Sequence, residues 1–334
     1  MSRTITVVGA GSWGTALSIH MARAGHGVKL WAYEDEVRRE IEEKRENTVF
    51  LKGFKIPQSV VVTNILEEAI NGAGIILFVV PSDHSRQVFQ SMKGSQMAGA
   101  RLVIATKGIE CDSLKLMSEI ASEVLGGEGL RDIGVLSGPS FALEVARGDP
   151  TAVVVSSRGQ DCAEYLQKEI SFGNFRAYTN TDMTGVQLAG SLKNVVAIAA
   201  GIIEGIGFGY NTIAALITRG TSEIRRLGVK MGGDPGTFAG LAGIGDLILT
   251  CTGKLSRNRS VGYRLGRGED LETILSGMRM VAEGLKTSIA VKRLAVKFNV
   301  EMPIAAQVHA VLYEKKKPSE AIQDLLSRPL KEED

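Results

Sequence analysis

TITVVGAGSWGTALSIHMARAG, residues 4–25, carries three signals in succession. TITVVG (4–9) is a β-branched apolar run of strand length. Gly9-Ala10-Gly11-Ser12-Trp13-Gly14 fits the spacing G-x-G-x-x-G. WGTALSIHMARAG (13–25) has helical periodicity and closes on Gly25, a residue suited to the position just past a helix end. Strand, glycine turn and helix in this order point to a βαβ unit that binds a dinucleotide, the other reading being a structural glycine turn alone. Gly9 permits the tight turn, Gly11 lets a pyrophosphate approach the backbone, and Gly14 lets helix and strand pack closely. The N–H groups and dipole at the helix start favour the phosphates. The apolar start leads into a glycine turn rather than a small-residue cleavage site, so it reads as a strand and not as a signal peptide.

Outward from this stretch the pattern repeats. VKLWAY (28–33), GIILFVVP (74–81), RLVIATKG (101–108), IGVLSGP (133–139) and TAVVVSS (151–157) are further strand candidates, and EDEVRREIEEKR (34–45) is a strongly charged helix. Strands that are apolar throughout and separated by helices imply a parallel sheet covered on both faces. From about residue 180 such runs become rare, and Ala/Gly/Leu/Ile stretches of helical period continue to about residue 327. The join falls near FRAYTNTDMTG (175–185). The expected fold class is therefore α/β: an N-terminal Rossmann-type, doubly wound, mostly parallel sheet over residues 1–182, plus an all-α C-terminal domain over 183–334.

Composition narrows the function classes. The 334 residues are 44% hydrophobic and 23% charged, ordinary for a soluble globular protein. The formal net charge of +2, without a long basic run, gives no reason to expect a nucleic acid partner. Cys111, Cys162 and Cys251 are far apart and form no metal-ligand spacing, which suits a reducing cytosol and no bound metal. The apolar stretch 183–203 includes Thr, Gln, Ser, Lys and Asn, so a membrane span is a poor reading.

Polar residues stand where such a fold binds ligands, beyond the carboxyl ends of its strands. The second strand ends in Tyr33-Glu34-Asp35, with Arg38 and Arg39 a turn later. Glu34 suits the ribose hydroxyls of NAD. Either arginine could reach the 2′-phosphate of NADP, or both could be solvated surface charges. Lys107 follows the strand at 101–105 and could meet an anionic substrate or a carbonyl, or be a surface lysine in a loop. Gly138 and Ser140 could donate through backbone N–H and hydroxyl, or serve only to cap a helix.

In the helical half, Asp246 heads an apolar stretch, and Ser256-Arg257-Asn258-Arg259 sets two guanidinium groups around an asparagine after a helix-capping serine. Arginine forks suit phosphate, although an exposed basic turn has the same composition. Lys193 is the sole ionisable residue between Asp182 and Glu204. It could snorkel to the surface. Buried, it needs a carboxylate partner such as Asp246, and desolvation would let it exchange a proton near neutral pH.

Together these segments resemble the NAD(P)-dependent glycerol-3-phosphate dehydrogenases of the soluble bacterial type. The resemblance runs through VVGAGSWGTALS, FVVPS, ATKGIE, LSGPSFA, LKNVVAIAAGI, GIGFGYNT, FAGLAGIGDLILTCTGKLSRNR and VAEG, from residue 5 to about 285. It implies reversible reduction of dihydroxyacetone phosphate to sn-glycerol 3-phosphate, a precursor of glycerophospholipids, in the cytoplasm and commonly by a homodimer. It implies that Lys193 is the proton donor and acceptor, and that Lys107 touches substrate and nicotinamide. It implies substrate contacts at Gly138, Ser140, Asp246, Ser256, Arg257 and Asn258. Cofactor contacts are implied at Ser12, Trp13, Tyr33, Ala142, Val281 and Glu283 beside Gly9, Gly11 and Gly14, with Arg257 also near the cofactor. The cofactor is NADP or NAD. Two positions depart from the family's pattern: Tyr33 stands where arginine or histidine is common, leaving the preference open, and Ile213 stands where a basic residue is common. Other readings are a related β-hydroxyacid or ketopantoate-type dehydrogenase, acting on a carboxylate without phosphate, and a nucleotide-sensing regulator without turnover.

Overall fold

The apolar runs of the first half lie side by side in one eight-stranded sheet of the computed structural model, which describes residues 3–278, 281–330 and 332–333. The strands are β1 (Thr4–Val8), β2 (Gly27–Trp31), β5 (Val60–Thr63), β6 (Ile75–Phe78), β7 (Arg101–Ile104), β8 (Asp132–Ser137), β9 (Thr151–Ser157) and β10 (Phe175–Asn180); a short hairpin, β3 (Glu46–Asn47) and β4 (Leu51–Lys55), stands apart. The order is β10-β9-β8-β7-β6-β1-β2-β5. Neighbours are parallel except β8 and β9, which pair antiparallel. Helices α1 (Ser12–Arg23), α2 (Asp35–Lys44), α3 (Leu66–Ile70), α4 (Ser82–Met92), α5 (Met117–Leu125), α6 (Ala142–Arg147) and α7 (Gln160–Ile170) connect them. Two apolar clusters cover the sheet, one containing Val7 and Leu17 and the other Val8 and Phe78. Successive residues of β1 thus serve opposite faces, as the pleat requires.

The sheet holds two strands outside the sequence expectation, β5 and β10. FRAYTN, read as part of the join, is the edge strand β10, whose side chains alternate buried and exposed. That half-polar pattern lacks the apolar continuity of the central strands. TAVVVSS is the expected strand, and its antiparallel pairing with β8 is the one exception in the mostly parallel sheet that was expected.

The helical unit comprises α8 (Met183–Ile206), α9 (Tyr210–Lys230), α10 (Pro235–Ala239), a π-helical turn (Leu241–Gly245), α11 (Asp246–Thr252), α12 (Arg257–Gly266), α13 (Leu271–Ser276), α14 (Glu283–Phe298), α15 (Pro303–Tyr313) and α16 (Pro318–Leu326). Its compact body is residues 184–334 together with Lys107–Leu116; Met1–Thr106 and Met117–Met183 form the sheet unit. Ile109 and Leu116 are buried in the helical core, and Arg293 of α14 donates to the carbonyls of Cys111 and Asp112.

Helix α8 is the one helix among the described residues long and apolar enough to cross a membrane, but 94% of its apolar window is buried inside the structure. It is the core helix of its unit. Glycines let α12 press against it. A Cβ on Gly201 would lie 2.0 Å from the Arg259 carbonyl oxygen, and one on Gly262 would lie 2.0 Å from that of Ile198. Backbone thus meets backbone, which fixes the start of α12 relative to the middle of α8.

Candidate functional site

The glycine turn has the shape its spacing implies. Gly9 has φ +115°, and a Cβ on Gly14 would fall 1.8 Å from the Gly9 carbonyl oxygen, so both positions exclude larger residues. A Cβ on Gly11 would meet nothing within 4 Å. That open space lies at the N-cap of α1, which has no side-chain cap. The residues therefore fit a dinucleotide's pyrophosphate, with room above Gly11 and a helix start facing it. The far end of α1 is closed by paired bonds, Gly25 N–H to the Ala22 carbonyl (3.1 Å) and His26 N–H to that of Met21 (3.2 Å).

Asn47 was not among the residues anticipated here. It is fully buried, and its amide donates to the Ala10 carbonyl and to the Thr15 hydroxyl, each at 2.8 Å. The Ser12 hydroxyl donates to the Phe50 carbonyl at 2.7 Å. Loop 47–50 thereby holds the turn from outside. Trp13 packs, half-buried, on the sheet core, as does Ala142 at the start of α6. Tyr33 is 76% exposed and meets Trp31 edge-on. Gly138 has φ +127°, and a Cβ there would press on Val153. The Ser140 hydroxyl donates to the Gly138 carbonyl at 3.0 Å, whereas the cap position of α6 is Phe141. Ser140 therefore closes a strand-end turn and does not cap the helix.

Within the helical unit three anticipated residues meet. Lys193 is 6% exposed, so it does not snorkel. Its ammonium donates to Asp246 Oδ1 at 2.7 Å and to Thr250 Oγ1 at 2.6 Å. Lys107, the first residue of the segment that joins this unit, donates to Asp246 Oδ2 at 2.7 Å. One buried carboxylate thus carries an ammonium on each oxygen. A π-helical turn leads directly into Asp246, a departure from α-geometry that recurs at functional sites. The Thr250 hydroxyl donates to the Asp246 backbone carbonyl at 2.6 Å. Thr250, like Asn47, was missed in reading the sequence; its i,i+4 spacing from Asp246 puts both on one face of α11.

The electrostatics follow from burial and charge. Burial pushes Lys193 down to about 8; Asp246 opposes that shift and the Lys107 charge adds to it. Burial alone would raise the Asp246 carboxyl, but Lys107 and Lys193 outweigh it and hold the carboxyl below its ordinary value. The neighbouring Cys251 thiol is pushed up to about 12 by burial, so it stays protonated and is no nucleophile.

The four residues of SRNR do different work. The Ser256 hydroxyl caps α12 by accepting from the Arg259 N–H at 3.2 Å. Asn258 donates to Asn194 Oδ1 at 3.0 Å and accepts from the Gly284 N–H at 2.9 Å. That ties α8, α12 and the start of α14 together beside Lys193. Arg257 donates to the Val281 carbonyl at 3.2 Å; its burial lowers its pKa and the nearby Glu283 raises it. Arg259 turns away to pair with Glu204 at 2.5 Å, so the two guanidinium groups do not cluster as their adjacency suggested. Ile213 packs, half-buried, against the helical core and presents no charge. Arg38 and Arg39 are paired on the surface of α2.

Comparison with known proteins accounts for both halves. Residues 4–163 match the family model for the NAD-dependent glycerol-3-phosphate dehydrogenase N-terminus, and residues 182–323 match the model for its C-terminus. A glycerol-3-phosphate dehydrogenase [NAD(P)+] of Geobacter sp. (strain M21) is 50% identical over 333 residues, 100% of this chain and 99% of that protein. One of Koribacter versatilis is 51% identical over 331 residues, 98% of each. The crystal structure of glycerol-3-phosphate dehydrogenase from Coxiella burnetii superposes with a TM-score of 0.93 at 40% identity, covering 98% of this chain and 99% of that one. With both halves matched and half its residues identical to full-length relatives, this chain belongs to the NAD-dependent glycerol-3-phosphate dehydrogenase family.

Proposed function

We propose that the chain catalyses the reversible reduction of dihydroxyacetone phosphate to sn-glycerol 3-phosphate with NADH or NADPH. The observation that carries this reading is the buried Lys193–Asp246–Lys107 triad. When bound, the dinucleotide supplies a hydride to the C2 carbonyl carbon. As charge builds on the carbonyl oxygen, the Lys193 ammonium stabilises it and gives up a proton. Asp246 holds Lys193 and Lys107 in place, and Lys107 orients the carbonyl. The planar fork of Arg257 suits the phosphate, with Ser256 and Asn258 shaping that anchor. Gly138 and Ser140 serve as further substrate contacts.

Cofactor contacts at Gly9, Gly11, Gly14, Ser12, Trp13, Tyr33 and Ala142, and at Lys107, Arg257, Val281 and Glu283, belong to the same reading. A phosphorylated triose as partner, a cytoplasmic location, a homodimeric state and supply of glycerophospholipid synthesis belong to the same reading. The test is oxidation of NADH or NADPH by the purified chain with dihydroxyacetone phosphate. Lys193→Met should keep cofactor binding and lose turnover by about 10²- to 10⁴-fold. Turnover at the wild-type rate in this variant would refute the proton-transfer role.

A further inference from the structure

The carboxyl end of β2 is the place where a fold of this kind meets the adenosine ribose. An acidic side chain there accepts from a free 2′-hydroxyl, whereas an arginine receives a 2′-phosphate. Both kinds of residue are present, so their pairing decides which is available. Glu34, the N-cap of α2, is exposed. Asp35, the next residue, accepts from Arg38 Nε at 2.8 Å on Oδ1, and its Oδ2 lies 2.7 Å from Arg39 Nη2. Arg38 also donates to Glu42, and the Asn64 amide reaches Asp35 Oδ1 at 3.5 Å. Both guanidinium groups that follow the strand are therefore drawn onto a single carboxylate. Glu34, Asp35 and Glu36 outnumber Arg38 and Arg39 by one charge. Tyr33 contributes a neutral ring.

We infer that Asp35 is the specificity-determining residue for the cofactor: by holding Arg38 and Arg39 it leaves Glu34 to read an unphosphorylated ribose, so the chain prefers NADH to NADPH. A 2′-phosphate would have to strip an arginine from Asp35 and then sit beside the exposed carboxylate, a like-charge contact in addition to the broken pair. These ion pairs are exposed and individually weak, so the discrimination comes from the whole group of charges and is finite. The inference rests on the dinucleotide reading of the glycine turn.

Equilibrium titration of the full chain with NADH and with NADPH, without substrate, tests it. The wild type should bind NADH tighter by about tenfold. Asp35→Asn should tighten NADPH binding by about tenfold, as guanidinium groups freed from the carboxylate reach the phosphate. Adding Arg39→Ala to that variant should reverse the gain. Arg39→Ala in the wild-type background should change NADPH affinity by less than about twofold, because that arginine is already engaged. The assignment is overturned if the wild type binds NADPH as tightly as NADH, if Asp35→Asn leaves the ratio unchanged, or if Arg39→Ala alone weakens NADPH tenfold. Failure to bind either nucleotide would overturn the dinucleotide reading as well. The expected ratios without turnover of dihydroxyacetone phosphate would uphold Asp35 and refute the proposed reaction.

Discussion

At Lys193, burial and a neighbouring charge compete to set one residue's chemistry. Burial favours the neutral amine, Asp246 favours the ammonium, and the balance leaves a pKa of about 8 instead of 10.5. Reduction consumes the proton, so its rate should fall as pH rises through about 8; oxidation needs the neutral amine, so its rate should rise over the same interval. Asp246→Asn removes the negative charge that opposes desolvation. The alkaline limb of reduction should then move below pH 8, alongside a loss of turnover. A limb that stays in place in the pH–rate profile would show that another group titrates. Lys193 and Asp246 were legible in the sequence because each interrupts an apolar run, where an unpaired charge is costly. Thr250 was not. A helical threonine ordinarily bonds back to the carbonyl four residues earlier, as this one does, and its second bond to Lys193 arises only when α8 and α11 meet.

At the scale of elements, the helical unit uses buried polar side chains to fix helix ends. Glu223 of α9 is 3% exposed, and its carboxylate accepts from the N–H groups of Ile304 (2.7 Å) and Ala305 (3.3 Å) at the start of α15. Burial raises its pKa from 4.5 to about 7, although both N–H donors, and then Arg226 and Arg328, pull the other way. The folded state thus holds this proton more tightly than the unfolded chain does. The associated stability is complete below pH 4.5 and is lost as pH rises to about 7. The loss amounts to about 3 kcal/mol. Glu223→Gln keeps an acceptor and removes the titration, so urea unfolding at pH 5 and pH 8 should show a flatter pH dependence than the wild type. An unchanged slope would assign the effect elsewhere. Such cross-helix capping has no sequence signature, since residues 223 and 304 are distant in the chain. The central strands, by contrast, announced themselves as apolar runs, while the half-polar β10 and the short β3–β4 hairpin did not. Edge elements need burial on one face only, which weakens their pattern.

At the scale of the whole chain, the division into a sheet unit and a helical unit follows the change in periodicity near residue 180, but the excursion of Lys107–Leu116 into the helical unit does not. In sequence it reads as an ordinary loop after β7. The burial of Ile109 and Leu116 among helices, and the bonds from Arg293 to the Cys111 and Asp112 carbonyls, assign it, and with it Lys107, to the unit that holds Lys193. Cofactor binding by the folded chain should be visible in global stability, because a ligand that binds only the native state stabilises it by mass action, by about 2.7 kcal/mol at a hundredfold excess over Kd. Gly11 separates this linkage from folding. Its φ of −68° suits any residue, and a Cβ there meets no protein atom within 4 Å. Gly11→Val should therefore leave the thermal midpoint of the free protein within about 2 °C of the wild type. The same side chain would fill the space left for the pyrophosphate, so the NADH-dependent rise in midpoint should disappear. Gly14→Ala should behave differently, lowering the midpoint without any ligand, because its Cβ would fall 1.8 Å from the Gly9 carbonyl oxygen. If Gly11→Val retained the full NADH-dependent rise, the dinucleotide would have to lie elsewhere on the chain.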